Sequence, residues 1–73
     1  MQITKTVKHI NVTMQDLENG VQLANQLQAA LPEVHKFCIA DIVDELRYNF
    51  LACGEADVNY TVSENLELFV ELV

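Results

Sequence analysis

The sequence predicts an α+β fold: a small single domain over residues 1–73, ordered β-α-α-β-β, with two helices packed on one face of an antiparallel sheet. Three observations lead there. Residues 2–12 are rich in β-branched types interleaved with polar ones, which suits a strand with one wet face. Residues 13–53 carry apolar residues at helical spacing, interrupted once at Leu31-Pro32-Glu33. Residues 57–62 alternate apolar and polar and lead through a short turn into a second apolar run. A chain of 73 residues, 51% hydrophobic, is long enough for one domain only and too apolar to remain disordered. At that length roughly 60% of the unfolded surface is buried, enough for one small core.

The elements follow in order. The first strand sets Ile3, Lys5, Val7 and His9 on one side and Thr4, Thr6, Lys8, Ile10 and Val12 on the other. Because the alternation is imperfect, a bulge is expected near His9-Ile10. Thr13-Met14-Gln15-Asp16 reads as a capping box, with the Thr13 hydroxyl accepting from Asp16 and the Asp16 carboxylate reaching back. From it one helix is expected to run to Leu31, burying Leu17, Val21, Ala24, Leu27 and Leu31, with Gly20 on the same face. Its other face (Gln15, Asn19, Gln22, Asn25, Gln26) is almost uncharged. Pro32 ends it and suits the first turn of the next.

The second helix is expected from about Glu33 to Cys53, with Gly54 as C-terminal cap. At about 100° per residue, Ile39, Ile42, Val43, Leu46, Phe50 and Cys53 form one apolar stripe. Asp41, Asp44, Glu45 and Tyr48 share another face, with Phe37 beside them. Asp57–Val62 is a strand, and Ser63-Glu64-Asn65 a turn in which Asn65 tolerates the left-handed conformation. Residues 66–73 fit either period. A strand lines up Leu66, Leu68, Val70 and Leu72; a helix lines up Leu66, Phe69, Val70 and Val73. The hairpin turn favours the strand.

Charge narrows the function. The chain holds 4 Lys+Arg against 11 Asp+Glu, a formal net charge of -7. Residues 1–32 sum to zero, and residues 33–73 carry the whole excess: nine acids against Lys36 and Arg47. Such a field repels nucleic acid and anionic lipid, so no direct nucleic-acid or membrane partner is expected. It attracts a basic surface. The competing reading is that the excess acid simply keeps a small apolar domain soluble. Cys38 and Cys53 are too few for a disulfide framework and, on one helix, lie about 22 Å apart. Free thiols in a reducing cytoplasm are expected, with Cys38 buried. The start Met1-Gln2-Ile3-Thr4-Lys5 lacks the pattern of a secretory signal, and no apolar run approaches a membrane span.

Sites that carry chemistry are scarce. His35, Cys38 and Asp41 recur every three residues, which offers two or three ligands where a structural zinc site takes four, so neither metal nor cofactor is expected. Gly20 and Gly54 are isolated rather than part of a phosphate loop, and the carboxylates lie on wet faces; no catalytic residue is assigned. The most distinctive surface is the acidic row Asp41, Asp44 and Glu45 with Tyr48 and Phe37, extended by Glu55, Asp57 and Glu64. Spaced carboxylates on a rigid helix can imitate a run of phosphates, and aromatic rings supply anchors. A second candidate surface is the C-terminal strand. As a sheet edge guarded only by Glu67 and Glu71, it would offer Leu68, Phe69 and Leu72 to a second copy or a partner strand.

In size, charge and lack of a catalytic motif the chain resembles small phage-encoded inhibitors of host RNA polymerase or of CRISPR surveillance complexes. That resemblance implies a non-enzymatic cytoplasmic protein (in the host cytoplasm if phage-encoded) that docks on a basic, nucleic-acid-handling protein or complex. The alternative is a structural or regulatory homo-oligomer, a homodimer for instance, formed through the C-terminal strand edge, its charge serving solubility alone.

Overall fold

The structure, a computed structural model, describes residues 4–73. Residues 2 and 3 of the expected first strand lie outside the described residues. The α+β class holds, with strand β1 (Thr6–Val12), helices α1 (Met14–Glu18), α2 (Gly20–Ala30) and α3 (Lys36–Arg47), a π-helical turn (Tyr48–Ala52), and strands β2 (Asp57–Ser63) and β3 (Leu66–Leu72).

The sheet is mixed rather than antiparallel. Its order is β1-β3-β2, with β3 antiparallel to β2 and parallel to β1. The β2–β3 hairpin pairs locally, and β1 then covers the open side of β3. This seats the most apolar strand in the middle, where both rows of its backbone groups are paired; at an edge it would be an open template for other chains. The helices cover one face only. Val12, Leu68 and Val70 are buried there against Leu23, Leu27, Leu31, Ile39, Ile42, Val43, Leu46 and Phe50, with Val58, Tyr60, Leu66 and Leu72 packed alongside. The opposite face carries Val7, His9, Asn11, Asp57, Asn59, Thr61, Glu67, Phe69 and Glu71.

The first helical segment differs from expectation. The capping box at Thr13 and Asp16 forms, with hydrogen bonds of 3.0 and 3.2 Å, but the helix breaks at Asn19. That residue is extended (φ -112°, ψ 95°), and its Oδ1 accepts from the Gln22 N–H to cap α2. The break resets the helical phase. Leu23 becomes fully buried and Val21, expected in the core, is 73% exposed. The amide face is also explained: Gln22 Nε2 donates to Asp16 Oδ1 at 2.7 Å, and Gln26 Nε2 donates to the Asn11 carbonyl at 2.8 Å.

Pro32 stops α2 as expected but sits in a turn rather than in the next helix. Gln28 Nε2 holds that turn by donating to the carbonyls of Leu31 and Val34, and α3 starts only at Lys36, with His35 Nδ1 accepting from the Phe37 N–H. The π-helical turn adds a residue to the last turn and rotates Cys53 off the apolar stripe; Cys38 and Cys53 are both exposed, unpaired thiols. Gly54 closes the segment with φ +70°. Two further corrections concern the strands. β1 pairs with β3 in unbroken register, so the bulge expected at His9-Ile10 is absent. The irregularity lies instead between Thr61 and Ser63, and no described residue other than Gly54 has positive φ, so the hairpin turns on that bulge and not on a left-handed Asn65.

Candidate functional site

The acidic surface follows from how α3 is seated. Ile39, Ile42, Val43 and Leu46 all point into the core, which forces Asp41, Asp44 and Glu45, on the opposite phase, into solvent. Tyr48, one turn further on, is 63% exposed. β2 runs along the free edge of the sheet beneath α3. Its even-numbered residues face the helices, so Tyr60 rises half-buried toward the acidic face. Asp41, Asp44, Glu45, Tyr48 and Tyr60 together line one open concavity of about 410 Å³.

Among the described residues no cation pairs with this cluster. Lys5 pairs with Glu67, and His9 Nε2 lies 3.4 Å from a Glu71 oxygen, both on the far face of the sheet. Arg47, the nearest base along α3, turns the other way. Its Nε donates to the Leu17 carbonyl at 2.9 Å, closing the end of α1, and its guanidinium fills the space beside Gly20. Three like charges thus stand beside two phenol rings with no counter-ion among the described residues. Such a surface suits electrostatic capture of a cationic group, with the rings supplying apolar and cation–π contact.

The remaining nominated residues divide. Phe37 lies one turn before Asp41 on the same face and is 71% exposed, but its ring is engaged by the Lys36 ammonium (5.7 Å from the centroid) and tilted against His35. Glu55 precedes β2, and Glu64 sits in the hairpin turn at its other end. Asp57 faces the outer side of the sheet, away from α3, because its parity opposes that of Val58 and Tyr60. Of the expected row, Asp41, Asp44, Glu45 and Tyr48 therefore share one concavity with Tyr60, and Asp57 lies off it. Tyr60 is the addition, and its parity with Val58 and Val62 in the sequence is the signal that sets it on the core side.

The C-terminal strand requires a second correction. β3 is central, with both edges paired, so it offers no edge for strand addition. Leu68 is fully buried and Leu72 packs against the core, while Phe69 alone of the three faces the outer side, where His9 meets its ring edge-on at 4.8 Å. Among the described residues no group of three His, Cys, Asp or Glu is placed to hold a metal ion, and His35 serves as a helix cap. A second cleft of about 440 Å³, between the start of β1 and the α2–α3 turn, contains none of the nominated residues. No helix among the described residues is long and apolar enough to cross a membrane. No protein-family model, curated protein or solved structure matches the chain.

Proposed function

We propose that this chain is a non-enzymatic binding protein that sets its acidic α3 face against a basic, nucleic-acid-handling protein and thereby inhibits or redirects it, the carboxylates standing in for nucleic-acid phosphates. It acts in the cytoplasm, the host's if the chain is phage-encoded. One observation carries this reading: Asp41, Asp44 and Glu45 converge with Tyr48 and Tyr60 on one concavity and have no cationic partner among the described residues. The acids are exposed, which suits attraction rather than proton transfer, since catalytic carboxylates are generally desolvated to tune them. The rings add desolvated contact area beside the charges, the combination that dominates binding energy at protein interfaces.

Charge reversal tests it. The variant Asp41→Lys/Asp44→Lys/Glu45→Lys should lose capture of basic proteins from host lysate while its circular dichroism stays that of the parent. Reversal of Asp57, which faces the other side of the sheet, should leave capture intact. Undiminished capture by the triple variant removes the α3 face from consideration.

A further inference from the structure

The two free edges of the sheet are β1 and β2, and they are opposite in charge. Residues 4–12 contain Lys5, Lys8 and His9 and no acid; residues 55–64 contain Glu55, Asp57 and Glu64 and no base. Their directions also match. β1 is parallel to β3 and β2 antiparallel to it, so a second molecule in the same orientation brings its β2 antiparallel to β1 of the first.

The backbone phases agree as well. Thr6 donates to the Asn65 carbonyl and Val12 accepts from Val73, so the even-numbered residues of β1 turn their polar groups toward β3. On β2, Leu72 donates to the Ala56 carbonyl, which assigns the even-numbered residues to β3 there too. The odd-numbered residues of β1, and those of β2 as far as Thr61, where the register shifts, therefore direct their N–H and C=O groups outward, where antiparallel pairing needs them. Lys8 and Tyr60 both pair with Leu68, and His9 and Asn59 both pair with Phe69. Extending the sheet without a shift sets Val7 against Thr61 and His9 against Asn59 of the second copy, each an exchanging backbone pair. Gln26 already occupies the Asn11 carbonyl, so the open part of the edge is the stretch up to His9.

In that register Lys8 of one molecule lies opposite Tyr60 of the next, on the helical side of the sheet. Tyr60 borders the concavity of Asp41, Asp44 and Glu45. Lys8 is exposed and forms no ion pair among the described residues. We propose that the molecules associate head to tail, β1 of one copy adding to β2 of the next, and that Lys8 enters the acidic concavity of its neighbour. The contact joins two different surfaces, so it closes into a ring or continues as an open chain. It rests on the same concavity as the proposed function. Self-association would then hold that site covered until a more basic partner displaces the neighbouring Lys8.

Sedimentation equilibrium of the purified chain, from micromolar to millimolar concentration at low and high salt, tests this. The mass should rise with concentration, less steeply at high salt; a monomer throughout overturns the proposal. Val7→Pro blocks the β1 edge and Asn59→Pro the β2 edge, each removing only an outward N–H, a placement that edge strands tolerate. Each variant alone should be monomeric, and their mixture should form a 1:1 dimer that grows no further. Self-association of either variant alone, or no association in the mixture with both folded, overturns it. Should the prolines unfold the domain, Lys8→Glu is the alternative: it should weaken self-association roughly tenfold, and an unchanged constant overturns the proposal. Lys8→Glu should also leave capture of an added basic protein intact, which separates failure of this inference from failure of the proposed function.

Discussion

The three carboxylates of α3 should make the free molecule less stable than it need be. Asp41 and Asp44 stand three residues apart on the helix, and Asp41 and Glu45 four apart, so two like-charged pairs face each other across one turn. At about 0.2–0.5 kcal/mol per pair, they destabilise the fold by about 0.4–1 kcal/mol. Arg47 gives no relief, since its Nε is committed to Leu17. The variant Asp41→Asn/Asp44→Asn/Glu45→Gln keeps the shapes and removes the charges. For a domain of this size the gain corresponds to a rise in Tm of roughly 2–8 °C. Thermal unfolding followed by circular dichroism at low salt measures it. In about 1 M salt the screening length falls to about 3 Å, shorter than the separation of the pairs, and the gain should shrink. The same variant should lose partner capture. A Tm that is unchanged or lower at low salt would refute the reasoning, for it would show that the acids support the fold and are not held against its interest.

Two further predictions test the helix break. Leu23→Ala removes a fully buried side chain and should cost about 2–5 kcal/mol in urea unfolding, whereas Val21→Ala, at an exposed position, should stay within about 0.5 kcal/mol of the parent. The opposite ranking would restore one continuous helix. Asn19→Ala removes the cap of α2 and should cost about 1 kcal/mol, and Asn19→Ser should recover most of it; equal stabilities would show that the Asn19–Gln22 bond contributes nothing.

Much of the local structure is legible in the residues. The capping box at Thr13 and Asp16, the halt at Pro32, the apolar stripe of α3 and the strand character of Asp57–Val62 each depend on neighbours within a few positions, and each is found where it is read, the strand running one residue further to Ser63. The acidic face comes with the stripe, because burying one side of a helix exposes the other. The misreadings are of two kinds. A helix break at Asn19 competes with continuation, and it is decided by packing: Leu23 takes the core place expected of Val21 only after the phase is reset, and Arg47, thirty positions along, closes the loose end. A π-helical turn displaced Cys53 for the same kind of reason, one residue's slip in phase that no local signal announces.

The rest depends on where distant segments meet. Strand order is set by which edge most needs covering, a comparison between whole strands, and it moved β3 from the rim to the centre, withdrawing Leu68 from the surface. Only the tertiary arrangement sets Tyr60 beside Asp41, Asp44 and Glu45 and leaves Lys8 level with Tyr60 on the opposite edge. Periodicity tells which side of an element meets apolar neighbours, because that is a short-range property of the chain. Which neighbours these are, and hence which charges share a surface, emerges from the packing of the whole.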